Sequence, residues 1–314
     1  MKVLRTPDDR FDGLYDFDFE PHYVEVASGD GGASIRVHYL DEGPADAAET
    51  VVLLHGEPSW CYLYRTVVRS LAAEGIRVVA PDLVGFGRSD KPASRRDYSY
   101  ARHVEWIRAV LFDRLGLFGV TLVGQDWGGL IGLRLVAEHP EAFRRVVAAN
   151  TGLPTGDRPL GDAFDAWRRF SQEVPEMPIG RIVDAGTVRD LPPEVVAAYD
   201  APFPDERFKE GARQFPMLVP AAPDDPASED NRHAWTSLRT FDRPFLCAFS
   251  DGDPITSGAE QQMMTEIPGA ADVAHVTVAG AGHFLQEDSG EELAAAVAHF
   301  LSVSPVPSDT GRHL

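Results

Sequence analysis

The chain has 314 residues, of which 44% are hydrophobic and 25% charged; it can bury a full core without disulfides or metals and is no low-complexity chain. Acidic residues number 49 against 29 basic ones, a formal net charge of −20, which repels phosphate backbones and anionic lipid head groups and so disfavours nucleic acid or a membrane surface as a partner. Met1 to Gly13 carry no apolar signal core, and no run approaches the roughly 18 consecutive apolar residues of a membrane span, so a cytoplasmic location is expected.

Taken along the chain, short apolar runs alternate with helical patterns. Val24–Val26 and Ile35–Leu40 read as two early strands, followed by Val51–Leu54, Ile76–Ala80, Val120–Val123 and Val146–Ala149, and much later by Phe245–Phe249 and His275–Val278. The last six are apolar on both faces, the pattern of strands covered from both sides. Helical windows fall near 60–74, 101–115, 128–139, 257–266 and 290–301. This alternation predicts an α/β fold: a mostly parallel eight-stranded sheet with helices on both faces and right-handed crossovers. It stops after Asn150. From Thr151 to about Trp235 the sequence is helical and proline-rich with no strand pattern. The expected organisation is therefore a core domain, 1–151 and 236–314, interrupted by a helical cap, 152–235, with a frayed tail from Ser304. Cys247, inside an apolar run, reads as a buried small hydrophobe, and no disulfide is expected.

Chemistry is concentrated in three strings. The first is Gly124-Gln125-Asp126-Trp127-Gly128-Gly129, a strand, a sharp turn and a helix start. It resembles the G-x-S-x-G nucleophile elbow of the α/β-hydrolases, with Asp126 where a serine would stand. A carboxylate has an ordinary pKa of about 3.9, so it needs no activating base; it can displace a leaving group at saturated carbon and become an alkyl ester. The competing reading of Asp126 is a turn residue held by local hydrogen bonds. The second string, His55-Gly56-Glu57-Pro58, follows the third strand. In this fold the backbone N–H groups of Glu57 and Trp127 form the oxyanion hole, and His55 shapes the turn. The third, Gly280-Ala281-Gly282-His283, follows the last strand. His283 is the expected general base, because an imidazole with a pKa of about 6.5 accepts a proton near neutrality. Of the two aspartates in Asp251-Gly252-Asp253-Pro254, Asp253 leads into the next helix and is the expected orienting acid, whereas Asp251 organises the turn.

These strings, with Thr6-Pro7-Asp8-Asp9-Arg10-Phe11 near the start and the Pro81–Pro92 segment, resemble a haloalkane dehalogenase over nearly the whole chain. The segment 81–92 is shared broadly by α/β-hydrolases; His55–Pro58 together with Gly124–Gly129 is much more specific. An aspartate after the seventh strand matches one branch of that family. The resemblance implies two indole N–H donors around a departing halide. Trp127 matches the first. The second is expected from the cap, because Glu57 stands where other branches carry an asparagine. Trp167, in Ala163-Phe164-Asp165-Ala166-Trp167, resembles the donor-bearing helix, and Trp235 is read as structural. The resemblance further implies that the Glu57 side chain helps hold the hydrolytic water. The partners are then a small halogenated alkane, water and halide, with no cofactor and no metal. Two other readings compete. An epoxide hydrolase would use the same aspartate but normally two cap tyrosines, and the cap contains only Tyr199. A non-catalytic ligand-binding protein on the same fold would need neither acid nor base. Metal chemistry lacks any C-x-x-C or H-E-x-x-H spacing.

Overall fold

A computed structural model describes residues 1–32 and 34–304; the expected frayed tail beyond Ser304 lies outside the described residues. Eight strands form one sheet. They are β1 (His22–Val26), β2 (Ile35–Glu42), β3 (Thr50–Leu54), β4 (Arg77–Pro81), β5 (Val120–Gln125), β6 (Phe143–Ala149), β7 (Phe245–Ser250) and β8 (Val276–Val278). Their order across the sheet is β8-β7-β6-β5-β3-β4-β2-β1. β2 runs antiparallel to both neighbours, and all other pairs are parallel. The order reverses at β3, so the carboxyl ends of β3 and β5 meet at a switch point, where open α/β sheets place ligands.

The helices of the core are α1 (Arg65–Ala73), α2 (Tyr100–Arg108) and α3 (Trp127–Glu138). Between β6 and β7 come α4 (Asp162–Glu173), α5 (Ile179–Ala185), α6 (Pro193–Asp200), α7 (Glu210–Leu218) and α8 (Ser228–Leu238). α9 (Ala259–Glu266) and α10 (Leu285–Val303) are the last helices of the described residues. α1 packs on α10, and α3 packs on α2 and α8. The central strands are covered in this way, and Val51 to Leu54 and Val78 to Ala80 are wholly buried. Two details escape apolar periodicity. α2 continues as a π-turn over Ala109–Arg114, and α10 is broken at Ser289 (φ −146°, ψ 44°).

In the segment between β6 and β7, α4 packs with α7 and α5 with α6. The expected boundary at 235/236 falls inside α8, which is anchored to the core: Arg134 of α3 donates to Asn231 Oδ1 at 3.2 Å, and Asn231 donates to Pro154 O at 2.7 Å. Both cysteines are buried and unbridged. No described helix is long and apolar enough to cross a membrane.

One buried side chain makes stability depend on pH. His103 of α2 lies among Tyr98, Trp106 and Phe215, with ring centroids 5.8, 4.9 and 4.4 Å away, and neither of its nitrogens has a hydrogen-bond partner. Burial pushes its pKa down to about 3. As pH falls below about 6.5 the unfolded chain takes up this proton and the native chain does not, so stability is lost progressively down to the folded pKa. His103→Phe should remove about 2 kcal/mol of the stability difference between pH 7 and pH 5. Urea unfolding at the two pH values checks this; an undiminished difference in the variant contradicts it.

Candidate active site

Asp126 joins β5 to α3 at φ 50° and ψ −123°, a left-handed conformation that costs a non-glycine residue about 1–3 kcal/mol. The surrounding structure holds it there. Its N–H donates to Asn150 O at 3.0 Å, and its carbonyl accepts from Thr151 Oγ1 at 2.7 Å and from Gly129 and Leu130 N–H at 2.9 and 3.0 Å. Glycine is required nearby, because a Cβ on Gly128 would lie 1.9 Å from Leu54 O and one on Gly56 would lie 2.5 Å from Asp126 Cβ. The turn therefore presents the carboxylate against the loop after β3. Asp126 Oδ1 accepts the Glu57 N–H at 2.8 Å, and the Trp127 N–H beside the carboxylate favours its charged form. Burial raises the Asp126 pKa, and the neighbouring His283 and these two N–H groups limit the rise.

His283 follows β8 and turns its ring toward the elbow. Nδ1 lies 3.1 Å from Asp253 Oδ2, and Nε2 lies 3.7 Å from Asp126 Oδ2. The first is a hydrogen bond; the second is beyond one. Burial acts to lower the His283 pKa, but the Asp253 hydrogen bond and the charges of Asp253 and Asp126 outweigh it, and the net shift is upward. Asp253 is held in turn by Ile255 N–H at 2.8 Å, Thr256 N–H at 3.3 Å and the Thr256 hydroxyl. Burial works to raise its pKa, and His283 with these donors brings it below its ordinary value. Asp251 points elsewhere: its carboxylate accepts the Gly280 N–H at 2.8 Å and ties together the loops after β7 and β8. His55 bonds Gly56 O through Nδ1 at 2.8 Å and accepts the Leu83 N–H on Nε2 at 2.9 Å, so both its nitrogens serve the turn.

A cavity of about 1210 Å³ opens beside this constellation. Asp126, Trp127, His283, Phe164, Trp167 and Ile255 are among its lining residues. The Trp127 ring rests on Tyr100 and Phe215, with centroids 5.0 and 4.5 Å away, and Trp167 stacks on Phe170 at 5.8 Å. Trp235 also lines the cavity, but its indole N–H is spent on Leu153 O at 2.8 Å. That bond separates the two cap tryptophans, and periodicity alone does not reveal it. Tyr199 is fully buried with its hydroxyl on Glu287, and no tyrosine is among the cavity's lining residues. The Glu57 carboxyl is buried next to Asp126. Desolvation and the Asp126 charge push its pKa well above the ordinary range, against a smaller opposing pull from the Trp167 indole N–H. Both effects favour the protonated carboxyl, which can donate a hydrogen bond as well as accept one.

Two contributors have no signature in the motifs. Asn150 immediately follows β6, and its Nδ2 lies 2.8 Å from Ser250 Oγ, 3.0 Å from Gly282 O and 3.1 Å from His283 O. The position of Asn150 at the carboxyl end of a central strand is the one sequence signal for it. Gln125 precedes the nucleophile, and its Nε2 lies 3.2 Å from both His283 Nε2 and His283 O; nothing in its local pattern marks it. His38, Cys61 and Asp82 form a buried cluster of ligand-type side chains among the described residues. The Asp82 carboxylate there is already engaged by His38 Nδ1, Cys61 N–H and Arg88 N–H, each at 2.8 Å, which makes it a hub for the neighbouring loops.

Comparison with known proteins gives a consistent answer. The family model described as the alpha/beta hydrolase fold matches residues 49–290. A haloalkane dehalogenase of Psychrobacter cryohalolentis is 58% identical, covering 97% of this chain and 100% of the relative. One from Mycobacterium marinum is 53% identical, covering 95% and 99%. Among solved structures, the tetrameric haloalkane dehalogenase from Paraglaciecola agarilytica superposes with a TM-score of 0.88 at 35% identity, covering 96% of this chain and 99% of that one.

Proposed function

The chain belongs to the haloalkane dehalogenases, hydrolases of carbon–halogen bonds built on the α/β-hydrolase fold, and from that premise we propose which of its atoms perform each step. The core, 1–151 and 236–314, supplies nucleophile, acid and base; the cap, 152–235, supplies the second halide donor and the apolar wall. Asp126 Oδ1 is held by the Glu57 N–H at 2.8 Å, so Oδ2 is the attacking oxygen. It forms a bond to the halogen-bearing carbon as the carbon–halogen bond breaks, and the halide leaves with the electron pair. The indole N–H groups of Trp127 and Trp167 bond the developing anion; indole is a donor only, so neither group can lose that role by deprotonation. His283 Nε2 then takes a proton from water, and the hydroxide adds to Cγ of the Asp126 ester. The negative charge gathers on Oδ1, where the oxyanion-hole N–H groups of Glu57 and Trp127 stabilise it. Collapse breaks the bond from Cγ to the alkoxy oxygen, and the alcohol leaves with a proton. Substrate plus water thus becomes alcohol, halide and a proton, and Asp126 is regenerated.

The observation that carries this reading is the spacing of one imidazole between two carboxylates: 3.1 Å to Asp253 and 3.7 Å to Asp126 Oδ2. The longer gap leaves Oδ2 unpaired for attack, and it lies where a water can stand between base and ester. A single turnover in heavy-oxygen water tests the reading. Oxygen from the solvent should appear in the Asp126 carboxylate and be absent from the first alcohol released. Label in the alcohol with none in the peptide containing Asp126 rejects a covalent ester. A bromide titration tests the cap donor: Trp167→Phe keeps the aromatic body but loses the N–H, and halide binding should weaken roughly tenfold, the effect of one hydrogen bond to a charged group. Unaltered binding removes Trp167 from the halide site.

A further inference from the structure

We propose that Gln125 is a positioning residue: its amide holds His283 as an uncharged base with the ring proton on Nδ1, and so keeps Asp126 Oδ2 free to attack. The proposal rests on the roles given above to Asp126 and His283. Gln125 is the last residue of β5 and is wholly buried. Its Nε2 lies 3.2 Å from His283 O and 3.2 Å from His283 Nε2. The carbonyl settles which end of the amide faces this way, because a carbonyl only accepts and the group opposite it must be the NH2. Asn150 Nδ2 reaches the same carbonyl at 3.1 Å, so two buried amides pin the backbone that carries the base. The second N–H of Gln125 then points at the ring, and Nε2 must meet it with a lone pair. The ring proton is thereby confined to Nδ1, where it is donated to Asp253.

The arrangement has a cost that the fold tolerates. Gln125 Oε1 is buried without a partner, which is unfavourable by itself. Turning the amide over would set this oxygen against the His283 carbonyl, a worse arrangement. The benefit lies in the nucleophile. The charged groups facing His283 are Asp253 and Asp126, and Glu57, whose pKa burial and the Asp126 charge raise, lies against Asp126. Both carboxylates favour an imidazolium. At 3.7 Å such an imidazolium needs only a small movement to pair with Asp126 Oδ2, and an ion-paired carboxylate is a poor nucleophile. An N–H from Gln125 aimed at Nε2 opposes the proton that would create this pair.

The test is the pH dependence of the halide burst in a single turnover for wild type, Gln125→Leu and Gln125→Met, two variants of similar size without the donor. Removing the donor should move the acid limb of the burst upward by about one pH unit, a tenfold change in the protonation equilibrium. The burst should slow near neutrality and recover toward the wild-type rate in alkali. A burst slowed equally at every pH, or unchanged, overturns the proposal, since packing alone would do no more. Nitrogen-15 NMR of the wild-type histidines needs no variant: Nε2 of His283 should be unprotonated at pH 7, and a proton found there rejects the inference. The mass of His283→Ala after reaction with substrate separates the two levels. If no ester appears on Asp126, the nucleophile assignment fails; if the ester appears but the acid limb of the Gln125 variants stays in place, only the role of Gln125 fails.

Discussion

Replacing His283 with alanine should leave one halide released per active site and then no further turnover. Displacement at carbon consumes a carboxylate that is already charged, so the first step needs no base. Hydrolysis of the resulting ester does, because water at neutral pH is a weak nucleophile and the imidazole is the group placed to take its proton. Loss of a positioned general base slows a step about 10²–10⁴-fold, enough for the ester to accumulate and be weighed as an alkyl adduct on the peptide containing Asp126. Repeated turnover by this variant at a rate near wild type would transfer the role of base to another group.

Asp126→Ala should abolish both the burst and steady turnover, by a factor of at least about 10⁴, because the bond-making atom itself is gone. The double variant Asp126→Ala/His283→Ala should be no worse than Asp126→Ala alone, since residues acting in sequence on one intermediate are not additive. Alanine removes a buried carboxylate whose charged form burial disfavours, so the variant should fold. Circular dichroism and urea midpoints check that the variant is folded, and a folded Asp126→Ala protein that releases halide at the wild-type rate would end the assignment.

In the mechanism proposed above, the apolar pocket contributes to both steps. Trp127 is packed on Tyr100 and Phe215, and the cavity wall includes Phe164 and Ile255. Excluding water strengthens the attacking charge and the indole contacts to the leaving anion alike. The same burial, with the Asp126 charge beside it, raises the Glu57 pKa.

Much of this protein is local and was legible in the amino-acid order. Runs such as Val51–Leu54 and Phe245–Phe249 specify strands because side chains alternate across a sheet and both faces here are apolar. The elbow around Asp126 is written in contiguous residues, because a sharp turn needs its glycines within a few positions of the nucleophile. Asp253 was distinguishable from Asp251 by its place before Pro254. What remained hidden involves groups brought together by crossovers. Gln125 and His283 are separated by 158 positions, and no local propensity records that their side chains share a carbonyl and a ring nitrogen. The resemblance of its helix singled out Trp167 over Trp235, but the bond that occupies the Trp235 indole, to the Leu153 carbonyl 82 positions away, is not written locally. Backbone conformation and burial depend on near neighbours and so can be read in one dimension; a hydrogen bond also depends on direction and on ångström distances between distant segments, and these exist only once the sheet has closed the site.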